Sequence, residues 1–178
     1  VDEGVAWVDC ALLGGGGFEV RSGSGEATEA VHCSGQRGEA ASSSWRRAGL
    51  SAVRRRCGSA ADAAALYRTF ASVGLQYGAA YRTVAGAWAG GGAAVAQLAR
   101  RSALGGTQVH PADLDGALQT ALLPSLSGRS PIKSLRLPFS IEKALLRALF
   151  RASPWATVSL TGTEAADVSL GACCDAIN

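Results

Sequence analysis

Asp115 and Gln119 stand one helical turn apart in the run His110-Pro111-Ala112-Asp113-Leu114-Asp115-Gly116-Ala117-Leu118-Gln119. At that spacing the Gln119 amide can reach the Asp115 carboxyl group and orient it. A carboxyl held in this way can act as a general acid, handing a proton to a departing group. Near neutral pH it does so only if burial raises its pKa. An Asp in the first turn of a helix is more often just a partner of the helix dipole, so the pair alone does not settle its role. Asp113 is expected to be a surface carboxylate. His110, just ahead of the helix, is expected to be a structural hydrogen-bonding residue rather than a base.

Other chemistries find little support. The five cysteines, Cys10, Cys33, Cys57, Cys173 and Cys174, form no CxxC pair and no zinc-like spacing, so no metal site is expected. They read as small buried or half-buried thiols in a reducing compartment. Ser22-Gly23-Ser24-Gly25 lacks the first glycine that a serine-hydrolase elbow needs. Gly14–Gly17 is followed by no GK[ST] and no helix, which argues against a phosphate loop. The net charge is +3, with basic clusters at Arg46–Arg47, Arg54–Arg56 and Arg100–Arg101. Without interleaved stacking aromatics these do not suggest nucleic acid. They read as a solvated face, or more weakly as a docking surface for an acidic protein.

The elements that must position Asp115 follow from local pattern. The helix around it starts at Pro111, favoured at a first helical position, runs to residue 123 and stops at Pro124. Leu114, Leu118 and Leu122 repeat at i, i+4 and i+8, a stripe expected to face the core. Upstream, Asp62 can cap a helix with Leu66, Phe70 and Val73 on one face, ended by Gly74. A hairpin is expected from Tyr81–Trp88 and Ala93–Leu98 around a glycine turn. Val5–Val8, Phe18–Arg21 and Ala30–Cys33 read as short strands, as do Ser134–Phe139, Trp155–Leu160 and Asp167–Leu170. Ile141–Arg151 is ambiguous between helix and strand. With 178 residues, 48% of them apolar but drawn largely from Ala, one domain-sized core of small side chains is expected, with modest stability. The absence of Met reads Val1 as a cut or processing point. Val1–Gly17 lacks the positive start of a signal peptide, and Thr83–Ala99 is too rich in Gly and Ala to span a membrane. A soluble, cytoplasmic chain with no membrane partner is expected.

Three stretches, in order, resemble the second hotdog of polyketide-synthase dehydratase domains. They are Leu66-Tyr67-Arg68-Thr69-Phe70 with Gly74-Leu75-Gln76-Tyr77-Gly78-Ala79-Ala80-Tyr81, then His110–Gln119, then Leu137-Pro138-Phe139-Ser140. Phe18–Ser22 and Val31–Gly35 resemble the end of the first hotdog. The resemblance implies an α+β hotdog fold, an antiparallel sheet wrapped around a central helix, as part of a double hotdog. Residues 1–40 would end the first hotdog, 41–60 would be a linker and 61–178 the second hotdog. Leu135, Leu137 and Phe139 would meet the leucines of the central helix.

The resemblance also implies a function: a hydro-lyase that removes water from a β-hydroxyacyl thioester. Asp115 would be the acid and Gln119 its orienting partner. Tyr77, Gly78, Tyr81, His110 and Pro138 would line the thioester site, glycine allowing close backbone approach. The substrate would ride on the phosphopantetheine of an acyl carrier protein, with no other cofactor, inside a larger synthase in which a homodimer is left open. The family's base is a His in HxxxGxxxxP, and neither His32 nor His110 fits that motif: Gly35 follows His32 by three residues, and Ala40 stands where Pro is expected. The chain alone is therefore expected to be inactive, its base lying on a first hotdog outside it. The alternatives are an inactive hotdog half that serves as scaffold or carrier-docking surface, and a double hotdog that holds or cyclises a polyketide chain. Ala79 in place of the usual Pro tilts toward relaxed function.

Overall fold

A computed structural model of the chain describes residues 6–24, 27–38, 49–100, 107, 109–126, 140–142, 144, 154–162 and 165–172. It divides into two compact units, residues 1–46 and 47–178.

The first unit is a three-stranded antiparallel sheet in the order β1-β2-β3, from Ala6–Leu12, Gly17–Ser24 and Ala27–Gln36. The strands expected here all form, and each is longer than its apolar run. Gly15 and Gly16 have φ of 70° and 85°, a left-handed pair that β-branched or bulky residues would resist. They turn β1 into β2, where Leu12 opposes Phe18. The Phe18 ring lies over Gly35 of β3, leaving no room there for a Cβ. On β3, His32 Nε2 is hydrogen bonded to Ser22 Oγ at 2.7 Å.

The second unit is a five-stranded antiparallel sheet, β4-β5-β6-β7-β8, formed by Ser59–Ala61, Val84–Gly90, Ala93–Leu98, Pro154–Leu160 and Ala166–Ala172. The expected hairpin is present: Gly91 and Gly92, with φ of 56° and 71°, join β5 to β6, as a two-residue turn with both central residues at positive φ requires. Strand β6 is central and covered on both faces, which its alternation explains. Ala94, Ala96 and Leu98 join the main core, whereas Ala93 and Val95 join a smaller cluster with Leu50 and Cys57.

That smaller cluster brings in a helix from the region expected to be linker. Helix α1, Leu50–Arg56, packs on β6, and Ser59–Ala61 pairs with β5. Arg54 lies 4.0 Å from the centroid of the Trp88 ring, which itself stacks on Trp155.

On the other face sit α2 (Ala63–Ser72), α3 (Pro111–Gln119) and α4 (Leu123–Leu126). The Asp62 side chain caps α2 by accepting from the Ala64 N–H at 2.8 Å. Gly74, at φ 90°, ends it while the Leu75 N–H donates back to the Phe70 carbonyl. Leu66 and Phe70 enter the core as expected, but Val73 is 49% exposed and Leu75 packs there instead.

The sheet packs around α3, which contacts β6, β7 and β8. Its leucine stripe, however, is not its buried face. Leu114 is exposed and Leu118 only half-buried, with Leu122 partly buried beyond the helix end; Ala112, Asp113, Gly116, Ala117 and Gln119 are the residues of α3 that go inside. Pro124 does not stop the helical path. After α3 the chain tightens over Thr120–Leu122 and continues through Leu123–Leu126, Pro124 falling in the first turn of α4, where an absent N–H costs nothing. The expected strand Ser134–Phe139, with Leu135, Leu137 and Phe139, lies outside the described residues, as does almost all of Ile141–Arg151. Among the described residues no helix is long and apolar enough to cross a membrane, which says nothing of a β-barrel.

Candidate active site

Asp115 and Gln119 meet as their spacing predicts. Gln119 Nε2 donates to Asp115 Oδ2 at 2.6 Å and to the Tyr81 carbonyl at 3.1 Å. Gln119 Oε1 accepts from the Tyr67 hydroxyl at 3.0 Å, and that hydroxyl accepts from the Val84 N–H at 3.0 Å. Three elements therefore converge on one amide: α2 brings Tyr67, the turn before β5 brings the Tyr81 carbonyl, and α3 brings Asp115 and Gln119 itself.

Helix α3 reaches this position because it is small where it meets β5 and β6. Gly116 lies against Thr83 and Leu98, and Thr83 Oγ1 donates to the Ala112 carbonyl at 3.3 Å. His110 caps the helix: its Nδ1 accepts from the Ala112 N–H at 3.1 Å. The expectation of a structural hydrogen-bonding role for this imidazole agrees with that bond.

An aromatic wall borders the amide. Tyr77 meets Phe70 edge-to-face at 4.9 Å and Tyr67 at 6.2 Å, and Arg82 sits 5.8 Å from the Tyr67 ring centroid. Arg82 Nε also donates to the Tyr77 carbonyl at 2.8 Å, tying down the loop. Removal from water disfavours the charged form of each acid here. It raises the Asp115 carboxyl from its ordinary value, against the opposing pull of the Gln119 hydrogen bond. Tyr67 and Tyr77 are raised chiefly by the same loss of solvent, with the Asp115 charge adding to it. A half-buried carboxyl whose pKa is raised by loss of solvent, with a donor fixed on one oxygen, keeps its proton to higher pH than a free carboxyl and can release it to a group that needs one.

A family model described as "Polyketide synthase dehydratase N-terminal domain" matches residues 46–174, well over half of the chain. The chain belongs to the polyketide-synthase dehydratase family. Solved dehydratase structures agree in fold. The dehydratase domain from the CurF module of curacin polyketide synthase superposes with a TM-score of 0.73 at 23% identity, covering 93% of this chain and 62% of that one. A CurK dehydratase described as an inactive mutant, with an Asp replaced by Asn, gives 0.69 at 22% identity, covering 93% and 60%. A trans-AT dehydratase domain from Brevibacillus brevis gives 0.68 at 27% identity, covering 92% and 62%. The chain thus spans about three-fifths of the length of these dehydratases. No protein of curated function matches it.

Within this dehydratase-family chain the expected site residues are only partly brought together. Asp115, Gln119 and Tyr77 share one network, and Tyr81 joins it through its main-chain carbonyl while its side chain is 43% exposed. Gly78 has an ordinary φ of −69° and no protein atom within 4 Å of where a Cβ would go, so the fold itself does not require glycine there. Pro138 lies outside the described residues. Asp113, expected on the surface, is only 3% exposed. Its neighbours Ala112 and Ala117 show why: the buried face of α3 is set by its small residues, and Asp113 lies on the flank of that face. Two contributors were not foreseen as site residues, Tyr67 and Arg82. Tyr67 stood inside the resembling Leu66–Phe70 run, but one position off the Leu66/Phe70 face it reads as a boundary aromatic. Among the described residues no three His, Cys, Asp or Glu side chains cluster as a metal site would need.

Proposed function

We propose that this chain supplies the acid half of a dehydratase site acting on a β-hydroxyacyl thioester. The observation that carries the reading is the 2.6 Å hydrogen bond from Gln119 Nε2 to Asp115 Oδ2 in a half-buried, aromatic-walled setting. In the proposed reaction a base removes the α-proton and the electron pair left behind forms the Cα=Cβ bond. The C–O bond to the β-hydroxyl then breaks, and the proton from Asp115 makes the departing oxygen water. The products are the α,β-enoyl thioester and water, leaving Asp115 as a carboxylate that must be reprotonated.

The base would be a His of a first hotdog that this chain does not carry. His32 and His110 each make a local hydrogen bond, to Ser22 and to the Ala112 N–H. Residues 1–40 would then close that first hotdog and the helix of Asp115 would be the centre of the second. The matching family model is described as an N-terminal domain, but the Asp115–Gln119 pair is the feature that the resemblance places on the second hotdog. The solved dehydratase that is inactive with Asp replaced by Asn supports a required carboxyl. The acyl chain would arrive on the phosphopantetheine of an acyl carrier protein, passing Tyr77, Gly78, Tyr81, His110 and Pro138.

The test is dehydration of a 3-hydroxyacyl thioester followed by mass spectrometry, with the chain alone and mixed with a first-hotdog half carrying its His. Loss of 18 Da on the order of one water per substrate only in the mixture, and abolished by Asp115→Asn, is expected of general-acid chemistry. Proven association of the halves without loss of water would sink the enzymatic reading and favour a scaffold or carrier-docking role.

A further inference from the structure

We propose that Tyr67 is a positioning residue for Asp115, acting through Gln119. This rests on the reading of Asp115 as the acid, and it assigns a role to a residue that lies 52 positions from Gln119 in sequence.

Hydrogen-bond polarity carries the inference. The Val84 N–H can only donate, so the Tyr67 oxygen, 3.0 Å away, must accept from it. The single hydroxyl proton of Tyr67 is then directed to Gln119 at 3.0 Å, which must present Oε1 there. That leaves Nε2 facing the Tyr81 carbonyl and Asp115 Oδ2, at 3.1 and 2.6 Å, and uses both of its protons. Turned over, the amide would set its oxygen against two acceptors and its nitrogen against the Tyr67 proton. With Oδ2 engaged as an acceptor, the proton of neutral Asp115 is carried on Oδ1, the oxygen not held by Gln119. A backbone N–H at the first residue of β5 thus decides, through two side chains, which carboxyl oxygen holds the transferable proton. Such a chain of bonds is mutually polarising in a partly dry site.

The experiment is an NMR titration of the Asp115 carboxyl carbon in the full chain, in wild type, Tyr67→Phe, Gln119→Ala and the double variant. The groups facing Asp115 and Gln119 are Tyr67 on α2 and Tyr77 and Arg82 on the loop before β5. Tyr67→Phe keeps the ring packing but removes the hydroxyl that fixes Gln119 Oε1, leaving the amide to Tyr77 and the Tyr81 carbonyl. The bond that favours charged Asp115 then weakens, and its titration moves to higher pH. Gln119→Ala moves it the same way, and the double variant moves it no further than Gln119→Ala alone. An unmoved Asp115 titration in folded Tyr67→Phe overturns the proposal. So does a Tyr67→Phe shift that persists undiminished without Gln119.

Should Tyr67→Phe not fold, 3-fluorotyrosine at position 67 keeps ring and hydroxyl in place. Its stronger donation to Gln119 should move the Asp115 titration to lower pH, and no movement counts against the coupling. None of these readings needs substrate, so they stand apart from the dehydration assay. In an assembly that removes water, Tyr67→Phe should lower kcat about tenfold with KM unchanged, the loss of roughly one hydrogen bond felt in the transition state. An undiminished kcat overturns the proposal, whereas a wild-type assembly that removes no water overturns the proposed function instead.

Discussion

Thr83 Oγ1 occupies the space that a Cβ on Gly116 would need. The hydroxyl is held there by its bond to the Ala112 carbonyl, and the Thr83 Cβ is only 3.2 Å from the same point. Helix α3 can therefore approach the start of β5 only because position 116 has no side chain, and that approach sets Asp115 and Gln119 beside the Tyr81 carbonyl. Gly116→Ala gains about 1 kcal/mol of helix propensity but overpacks a site that cannot yield, a cost of about 1–3 kcal/mol. Because the obstructing atom belongs to a short, β-branched side chain, the cost should win. Denaturant midpoints should fall for Gly116→Ala and partly recover in Gly116→Ala/Thr83→Ala, a non-additivity expected of residues in contact. Additive effects would mean that the clash is relieved by movement elsewhere.

Asp115 should make stability depend on pH in the direction opposite to an ion-paired carboxylate. Burial raises its folded pKa above the unfolded value, with the Gln119 bond only partly opposing. Between the unfolded value of about 3.9 and the raised folded one, the native state holds more protons than the unfolded state. Stability therefore falls as pH rises through that window and stays lower above it. Asp115→Asn has no charge to bury and keeps an acceptor for Gln119. It should be at least as stable as wild type at pH 7, with the difference closing as the pH drops below the unfolded value. Denaturant unfolding from pH 3.5 to 8 on the order of half-unit steps resolves that window. A variant less stable at pH 7 but not at acid pH would show that the site favours the charged carboxylate.

Leu66 and Leu114 should respond to truncation very differently. Leu66 has 0% exposure in the main core, and Leu66→Ala should cost about 2–5 kcal/mol. Leu114 is 37% exposed on the far side of α3, and Leu114→Ala should stay within about 0.5 kcal/mol. Chemical unfolding of Leu114→Ala beside Leu66→Ala, the core reference on α2, decides whether the leucine stripe of α3 is buried. Equal losses would mean that the leucine stripe is covered.

That contrast also marks where the sequence was legible. Strand positions came through because apolar runs, glycine turns and the Asp62 cap act locally. The pair Asp115–Gln119 came through because i,i+4 geometry is fixed by the helix itself. The buried face of α3 did not, because its choice was made by tertiary fit: Ala112, Gly116 and Ala117 permit an approach that leucines would block, so the weaker hydrophobes go inside and carry Asp113 with them. Helix α1 was hidden for a related reason. Its basic last turn, Arg54–Arg56, reads as solvated linker, and it packs because Leu50, Val53 and Cys57 meet Ala93 and Val95 of β6 while the Trp88 ring lies beneath Arg54. Tyr67 could be seen as an aromatic on α2, but its hydroxyl partners lie on β5 and α3, contacts that no local pattern records.

The Arg54–Trp88 contact should govern access to Cys57. This thiol is 3% exposed beneath α1, and loss of solvent raises its pKa against the lowering effect of Arg54 and Arg56. Cys10 and Cys33 are exposed on the first unit, so a thiol reagent should modify them first and Cys57 only when α1 opens. A guanidinium over a Trp face contributes about 0.5–2 kcal/mol, a loss that acts mainly on a helix as short as α1. Arg54→Ala should therefore speed Cys57 labelling by roughly 2- to 30-fold while leaving Cys10 and Cys33 unchanged, as read by peptide mapping. Removing Arg54 also removes a positive neighbour that favours the reactive thiolate, which alone would slow labelling. Faster modification would mean that opening of α1 outweighs that electrostatic loss, and slower modification that α1 stays docked without the Trp88 contact.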